Sequence, residues 1–275
     1  MILKLLNFFK LFKLNKYKDD KIKTVDYCPS YTFYTDLQVL YTLWIAKING
    51  NTYQEKLESF YNKQASLYDS YRCRMLHGRE PLIHEMSAKK NDIWVDFGGG
   101  TGSNLEFFGK HITDFKQVTI VDITPSLVEV AKERIARNNW SNVNIVVGDV
   151  TDDHLYGIPK EGTVDLITIS YALTMIPNWK DALDNAKRLL KPNGHIAICD
   201  FTIDSYQWSI SQSFWKKLFS LDNVMLNKEH IQYLQDNFEC VSHDVKYGTF
   251  PYVPGVFKCP YYVFVGKKLK ENNVK

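Results

Sequence analysis

The residues best suited to chemistry form a glycine-rich loop at Asp96–Gly102. The loop directly follows Ile93–Phe97, a short apolar segment with the composition of a buried β-strand. Glycines at positions 98, 100 and 102 let the backbone turn sharply and approach a ligand closely. A strand that runs into such a loop and then into a helix is typical of a site for a nucleoside-containing molecule.

The loop alone leaves alternatives open. A dinucleotide-binding loop has the pattern Gly-x-Gly-x-x-Gly, but its last position is occupied here by Ser103. An ordinary glycine-rich turn would also contain these residues. The segments that follow the loop distinguish a ligand-binding loop from an ordinary turn.

Two acidic residues follow later apolar segments. Asp122 ends the segment Val118–Val121, where a carboxylate can accept hydrogen bonds from both hydroxyls of a ribose. Asp149 and Val150 follow the next apolar segment, Val143–Val147. Either acid alone would suit a helix cap or a surface charge, but their order along the chain favours a nucleoside site.

The elements that must position these residues alternate between strands and helices. Helices are predicted from Thr124-Pro125 onward, around Trp179–Leu190, and near 208–221 and 227–237. Besides the three segments named above, strands are predicted at 164–169, 196–199, 239–246 and 260–266. This alternation predicts an α/β, Rossmann-like fold with a seven-stranded, mostly parallel sheet and an antiparallel hairpin at one end.

The chain before the first strand is predicted to be helical, at 36–48, at 53–77 and from Pro81. In the second stretch, Tyr61, Tyr68 and Tyr71 recur at helical spacing. Such helices would form a lid over the loop, although a plain packing helix has the same pattern. We therefore divide the chain into a basic apolar segment, a helical lid, a core and a basic tail, at residues 1–25, 26–90, 91–268 and 269–275.

The first segment is the most basic part of the chain. Residues 1–25 contain seven Lys and two Asp among many apolar residues. This composition predicts contact with an anionic membrane surface, although a helix docked on the protein or a frayed tail is also compatible. No apolar run is long enough to cross a bilayer.

Charge and cysteine content bear on the partners, the metal content and the location of the protein. The net charge of +3 and the lack of a dense basic cluster near the loop argue against a nucleic-acid partner. The five cysteines are odd in number and form no Cys-x-x-Cys pair, so neither a disulfide framework nor a bound metal is expected. A reducing, intracellular location is predicted, in the cytoplasm or on the cytosolic face of a membrane.

These segments, in this order over residues 92–200, resemble class I S-adenosylmethionine (SAM)-dependent methyltransferases, including Leu189–Gly194 before the fifth strand. In that family the loop contacts the methionine part of SAM, the second acid binds ribose, and the third acid and its apolar neighbour bind adenine. The resemblance implies a set of cofactor-binding residues: Tyr68, Asp96, Gly98, Gly99, Gly100, Gly102, Asp122, Ile123, Asp149, Val150 and Ser170.

Four lid segments resemble a narrower family, the N-methyltransferase part of betaine-lipid synthases. They are Asp36–Tyr41, Glu55–Tyr61, Tyr68–Arg72 and Leu76–Glu80, and the resemblance spans roughly residues 36–266. It implies that the chain converts diacylglycerylhomoserine to its trimethylated betaine form by successive SAM-dependent methylations. A separate aminocarboxypropyl transferase would have to supply that lipid substrate.

This chemistry suggests roles for the lid residues. His77 is the candidate base that deprotonates the amine, and Tyr61 and Tyr171 offer aromatic faces to the charged nitrogen. The lipid carboxylate suits an arginine, so the candidate substrate-binding residues are Tyr71, Arg72, Arg74 and Arg79.

Three other functions stay open at this point. A methyltransferase for a soluble amine such as phosphoethanolamine would share the same core. A nucleotide-dependent oxidoreductase fits less well because the third glycine is absent. A non-catalytic membrane partner could keep the fold, although the intact glycine loop and acids weigh against it.

Overall fold

The computed structural model describes residues 21–44, 48–204, 207–221 and 224–269. A seven-stranded sheet in the order β3-β2-β1-β4-β5-β7-β6 lies at its centre. Strands β1 to β5 pair in parallel, whereas β7 is antiparallel to both β5 and β6. This arrangement confirms the predicted Rossmann-like α/β fold. The strands are β1 Ile93–Phe97, β2 Gln117–Asp122, β3 Val143–Val147, β4 Val164–Ser170, β5 Leu190–Phe201, β6 Phe238–Gly248 and β7 Cys259–Lys268.

The helices cover both faces of this sheet. The α-helices are α1 Phe33–Trp44, α2 Tyr53–Tyr61, α3 Tyr68–Arg72, α4 Arg79–Glu85, α5 Pro125–Asn138, α6 Trp179–Leu189, α7 Ser209–Leu221 and α8 Glu229–Asn237. Three 3-10 helices lie at Ala65–Leu67, Ser103–Asp114 and Leu173–Met175. Neighbouring residues of β1 show the two-sided burial, because Trp94 packs in one apolar layer and Val95 in the other. Side chains of a central parallel strand are therefore apolar on both faces.

The parallel strands bring the predicted site residues to one edge of the sheet. Asp96 lies near the end of β1, Asp122 ends β2, and Asp149 follows β3. Ser170 ends β4. Because parallel strands share a direction, the residues at their carboxyl ends meet along a common edge, where ligands bind in open α/β sheets.

The predicted single helix over 53–77 is wrong in detail. Helix α2 ends at Tyr61, and a 3-10 turn at Ala65–Leu67 separates it from the five-residue helix α3. A capping box fixes the start of α2, since Glu55 N donates to Thr52 Oγ1 while the Glu55 side chain accepts from the Thr52 backbone. The break changes the path of the lid, so that it bends over the carboxyl edge of the sheet.

The cysteines also differ from expectation. Cys28 and Cys73 form a disulfide, with their Cα atoms 5.7 Å apart, so the expectation of no disulfide is wrong for this pair. Cys199, Cys240 and Cys259 are free thiols. The disulfide joins the segment before α1 to the residue after α3. A separation of 45 residues carries no local motif, which explains why the spacing did not reveal the pair.

The two predicted basic terminal segments fall largely outside the described residues. Residues 1–20 of the predicted membrane-surface segment and residues 270–275 of the predicted tail are not described. The described chain starts at Lys21, which forms an isolated bridge to Lys89, followed by the buried Ile22. Within the described ranges, no helix is long and apolar enough to cross a membrane.

Candidate functional site

A cavity of about 250 Å³ opens at the carboxyl edge of β1 to β4, beneath α2 and α3. Most of the predicted cofactor residues line this first cavity. They are Tyr68, Gly98, Gly100, Asp122, Ile123, Asp149, Val150 and Ser170, and the predicted catalytic residues Tyr61 and Tyr171 line it as well. The sequence signals therefore converge on one place in the fold.

The glycine loop forms the floor of this cavity. Gly98 and Gly100 have φ angles of +64° and +54°, a left-handed conformation that favours glycine. A Cβ on Gly98 would lie 2.4 Å from Cβ of Ala172, whereas the nearest atom to a Cβ on Gly100 is 3.6 Å away. Gly98 is thus required for packing, and Gly100 exposes its backbone to a ligand.

Gly99 and Gly102 do not line the cavity. A Cβ on either residue would lie 2.9 Å from the side chain of Ile120 in β2. Their role is to let the loop pack closely against the neighbouring strand. The predicted direct contact of these two glycines with the cofactor is therefore replaced by support of the loop from behind.

Two carboxylates on the cavity wall are held in place by the backbone. Oδ2 of Asp122 accepts from Gly100 N and Oδ1 accepts from Thr124 N, both at 2.8 Å. Oδ1 of Asp149 accepts from both the backbone N and the hydroxyl of Thr151, at 2.9 and 2.8 Å. Burial raises the pKa of Asp122 above its usual value, although the backbone hydrogen bonds from Thr124 and Gly100 oppose part of this rise. Both acids are placed to accept hydrogen bonds from hydroxyl or amino groups of a ligand.

Asp96 lies behind the cavity wall and is fully buried. Its carboxylate accepts hydrogen bonds from Thr168 Oγ1 at 2.5 Å and from Asn104 Nδ2 at 3.0 Å. Asn104 Nδ2 also donates to Ser170 Oγ at 2.9 Å, and Ser170 lines the cavity. Burial raises the pKa of Asp96 to about 6. Asp96 thus supports the cavity wall through Asn104 and Thr168 and does not itself line the cavity.

An ion-pair network joins the lid to the glycine loop. Thr101 Oγ1 donates to Asp69 Oδ1 at 2.9 Å, and Arg134 Nη2 in α5 lies 2.6 Å from Asp69 Oδ2. Arg134 Nη1 donates to the Thr101 carbonyl, and its Nε lies 3.0 Å from Glu106 Oε1. No spacing pattern in the sequence indicated this network. One of its residues, Asp69, lies in the segment Tyr68–Arg72, which resembles betaine-lipid synthases.

Arg79 makes a second connection between lid and loop. Its Nε donates to Asn104 Oδ1 at 2.8 Å and its Nη2 donates to Ser103 Oγ. The side chain is buried and lies outside the walls of the first cavity and of the second cavity described below. The structure does not bring Arg79 to either cavity: its guanidinium binds the segment that follows the glycine loop.

A second, smaller cavity of about 40 Å³ adjoins the first. Tyr61, Tyr68 and Tyr171 line both cavities, so three aromatic rings separate the two spaces. The rings of Tyr61 and Tyr68 are 5.6 Å apart and nearly perpendicular. Burial raises the pKa of all three hydroxyl groups, so they stay protonated near neutral pH.

Two more predicted substrate residues, Tyr71 and Arg72, line the second cavity. The Arg72 guanidinium lies 5.1 Å from the centre of the Tyr68 ring. Phe201, Phe219 and Phe250 complete an aromatic wall opposite the lid. The predicted clustering of lid tyrosines is thus realised, although the helix that was expected to carry them is broken.

Tyr171 is held in an uncommon backbone conformation. Its φ is +52°, and its hydroxyl accepts a hydrogen bond from Gly78 N at 2.9 Å. A Cβ on Gly78 would lie 3.0 Å from that hydroxyl and 2.9 Å from Cβ of Cys199. Gly78 therefore allows α4 to approach the end of β4 closely enough to fix the ring.

The structure does not bring His77 or Arg74 to either cavity. His77 Nε2 lies 2.6 Å from the carbonyl oxygen of Thr249, and its ring packs closely on Gly248. Arg74 pairs with the buried Asp36 and covers the ring of Tyr31, 3.7 Å from its centre. Both residues follow the end of α3, where the chain turns away from the cavity wall. The structure thus leaves the predicted base, His77, and one predicted carboxylate ligand, Arg74, outside both cavities.

Comparison with known proteins gives a consistent result for the core. Residues 95–196 match the family model described as a methyltransferase domain. The ubiquinone/menaquinone biosynthesis C-methyltransferase UbiE of Hydrogenovibrio crunogenus is 28% identical over 153 residues, which are 54% of this chain and 59% of that protein. The 2-phytyl-1,4-naphtoquinone methyltransferase of Nostoc is 29% identical over 154 residues, 53% of this chain and 65% of that protein. The chain thus spans between about half and two-thirds of the length of the curated relatives it matches.

Solved structures share the fold at low sequence identity. A phosphoethanolamine N-methyltransferase of Haemonchus contortus, in complex with phosphomonomethylethanolamine and S-adenosylhomocysteine, has a TM-score of 0.61 at 14% identity. It covers 80% of this chain and 61% of its own. A putative methyltransferase of Bacillus halodurans has a TM-score of 0.57 at 16% identity, covering 70% of this chain and all of its own. These likenesses show the fold of the core and do not identify the acceptor.

Proposed function

We propose that this chain, which carries a class I SAM-dependent methyltransferase domain, methylates the amine of a zwitterionic lipid headgroup and converts diacylglycerylhomoserine to its trimethylated betaine form. The observation that supports this proposal is the wall of three tyrosines between two adjoining cavities. One cavity has the residues that suit the cofactor, and the other has those that suit a cationic acceptor. The reacting atoms would meet at the shared rings.

The first cavity fits SAM on chemical grounds. SAM supplies an electrophilic methyl group on a positively charged sulfur. Asp122 and Asp149 would accept hydrogen bonds from the ribose and the adenine amino group, while Ile123 and Val150 would pack on the adenine ring. The open space above Gly100 leaves room for the methionine part. The tyrosine faces attract a sulfonium group by cation–π interaction.

The second cavity fits a positively charged nitrogen beside a carboxylate. Each aromatic face contributes about 0.5–2 kcal/mol to binding a desolvated cation. Among the described residues that line this cavity, Arg72 alone carries a charge. A guanidinium binds a carboxylate through two parallel hydrogen bonds, so Arg72 would set the orientation of the headgroup. Holding nitrogen, carbon and sulfur in line would provide much of the rate acceleration.

The acceptor amine must lose a proton before it can accept a methyl group. An amine is largely protonated near neutral pH and is nucleophilic only without that proton. Because His77 contacts the Thr249 carbonyl outside both cavities, it is not placed to take the proton directly. Burial and the positive charge of Arg72 both lower the pKa of an amine in the second cavity. Proton loss to water on entry therefore accounts for activation without a protein base.

A second candidate function is C-methylation of a quinol. The names of the curated relatives favour it, since they include ubiquinone/menaquinone and demethylmenaquinone methyltransferases. An aromatic cavity also suits a flat, apolar ring. The two candidates differ at Arg72, because a quinol has no carboxylate for a guanidinium to bind.

The experiment compares acceptors with the purified chain and SAM. Diacylglycerylhomoserine in mixed micelles, phosphoethanolamine and a demethylated quinol are incubated separately, and S-adenosylhomocysteine is measured. We expect turnover with the lipid and a loss of at least about tenfold in kcat/KM with Arg72→Met. Arg137→Met is the matched control, since Arg137 is exposed and contacts Glu106 on the surface.

Three outcomes would count against the proposal. Turnover restricted to the quinol would favour the second candidate. Turnover restricted to phosphoethanolamine would keep N-methylation but overturn the lipid. Equal effects of Arg72→Met and Arg137→Met on lipid turnover would remove Arg72 from the acceptor site.

A further inference from the structure

Six large side chains, at the starts of α1 and α7 and in the loop between β6 and β7, are strongly exposed. Their exposed fractions lie between 57% and 78%, and apolar residues that are exposed together mark an interaction surface. We call this set the apolar rim: Phe33, Tyr34, Trp208, Ile210, Tyr252 and Val256. Two lie at the start of α1, two at the start of α7, and two in the loop between β6 and β7.

The three segments pack against one another. The rings of Phe33 and Tyr252 are 6.1 Å apart, which joins α1 to the β6–β7 loop. Phe214 in α7 packs against Phe257 of the same loop, with ring centres 4.8 Å apart. Trp215 Nε1 then donates to the carbonyl of the next loop residue at 3.0 Å. The exposed side chains thus project from elements that are packed against one another.

Two of the three segments that carry the apolar rim, α7 and the β6–β7 loop, border the second cavity. Tyr252 lies between Phe250 and Val253, and both of these residues line that cavity. Helix α7, which follows Trp208, contributes Leu218 and Phe219 to the same wall. Segments that carry exposed apolar residues on the outside therefore carry the acceptor wall on the inside. A molecule that entered between them would pass the rim first.

Charge on this surface points to one kind of partner. Residues 207–221 and 249–258 contain Lys216, Lys217 and Lys258 and no acidic residue. All three lysines are exposed. The acid on α1, Asp36, is buried against Arg74. Exposed Trp, Tyr and aliphatic residues with lysines around them match the interface of an anionic bilayer, where aromatic rings lie at headgroup depth.

We propose that the apolar rim docks on the surface of an anionic bilayer and opens the second cavity directly to lipid headgroups. The link to methylation rests on the proposed function, whereas docking itself does not. The rim does not include residues 1–20, whose basic composition also predicts membrane contact. The rim would orient the enzyme, since it places the acceptor wall next to the bilayer.

Co-sedimentation of the full-length chain with vesicles tests this proposal. Phosphatidylcholine vesicles with and without phosphatidylglycerol are used, without SAM and without an amine acceptor. The rim variant carries Trp208→Ser, Ile210→Ser and Val256→Ser. The matched control carries Tyr156→Ser and Val241→Ser, two other exposed apolar positions outside the rim. Thermal unfolding checks that both variants stay folded.

We expect the rim variant to bind anionic vesicles at least about tenfold more weakly, and the control to bind like wild type. Lys216→Ser with Lys258→Ser should weaken binding mainly to anionic vesicles, and more strongly at low salt. A full-length variant with Lys4, Lys10 and Lys13 changed to Ser should retain the difference between rim and control substitutions.

Equal vesicle binding by the rim variant and wild type would overturn the proposal. Concentration-dependent self-association that the rim variant abolishes, without vesicle binding, would identify a second copy of the chain as the occupant instead. Measuring methylation alongside vesicle binding distinguishes a failure of the docking proposal from a failure of the proposed function. Methylation of lipid in detergent micelles without vesicle binding would overturn docking alone, whereas vesicle binding without methylation of any amine would overturn the function alone.

Discussion

The network between lid and loop gives the most specific prediction. Arg134 and Asp69 are both buried, with side chains 6% and 11% exposed, and their N and O atoms are 2.6 Å apart. Arg134→Met would leave the Asp69 carboxylate buried with only the Thr101 hydroxyl from this network as a partner. Removing one partner of a buried ion pair costs about 3–5 kcal/mol, because the remaining charge stays desolvated.

Urea unfolding measures this cost directly, and calorimetric titration measures the effect on SAM. We expect Arg134→Met to lower the free energy of unfolding by about 3 kcal/mol. SAM affinity should fall as well, since Thr101 belongs to the loop that forms the cavity floor. Arg134→Met combined with Asp69→Asn should cost less than the sum of the single changes, by about 1–3 kcal/mol.

Arg137→Met is the matched control for this series. Arg137 lies one turn further along α5 and contacts the same Glu106, but its side chain is 67% exposed. A surface change of this kind is expected to stay within about 0.5 kcal/mol. The reasoning would be refuted if Arg134→Met and Arg137→Met had equal effects on unfolding and on SAM binding.

Three further predictions follow from single contacts. Gly98→Ala should lower the free energy of unfolding by roughly 2–4 kcal/mol through left-handed strain and overlap with Ala172, and Gly162→Ala, which has open space around it, should cost less in the same urea titration. Arg79→Ala should weaken SAM binding in calorimetry more than it raises KM for the lipid, and the reverse order would restore its predicted substrate role. Burial raises the pKa of Asp200 from 3.8 to about 6, so its contribution to stability is full below pH 3.8 and is lost as the pH rises through about 6. Asp200→Asn should flatten the dependence of the unfolding free energy on pH in this window, and an unchanged slope would contradict the assignment.

Local sequence patterns predicted the sheet and the cofactor side of the site. Asp122 and Asp149 could be placed because each directly follows a strand, and strand direction then puts them at one edge of the sheet. The glycine loop could be recognised because its residues are consecutive. These features depend on neighbours in sequence, where composition and spacing are informative.

The features that sequence did not predict depend on distant residues. Arg134 reaches Asp69 across 65 positions, and Cys28 reaches Cys73 across 45. The position of His77 depends on a carbonyl 172 residues later. Helical spacing suggested one continuous helical stretch over residues 53–77, and the expected carboxylate of the substrate suggested Arg74 and Arg79 as its ligands. The break after Tyr61 and the pairing of both arginines with buried partners changed that arrangement.

We propose that the two cavities meet at shared tyrosine rings so that the methyl group of SAM reaches a lipid amine. Tandem mass spectrometry of diacylglycerylhomoserine, incubated with the chain and SAM carrying a deuterated methyl group, tests this proposal. We expect stepwise addition of labelled methyl groups to the headgroup nitrogen, up to the quaternary form, and loss of every step with Gly100→Asp. An unlabelled lipid, with label transferred instead to a ring carbon of a quinol in the same tube, would contradict it.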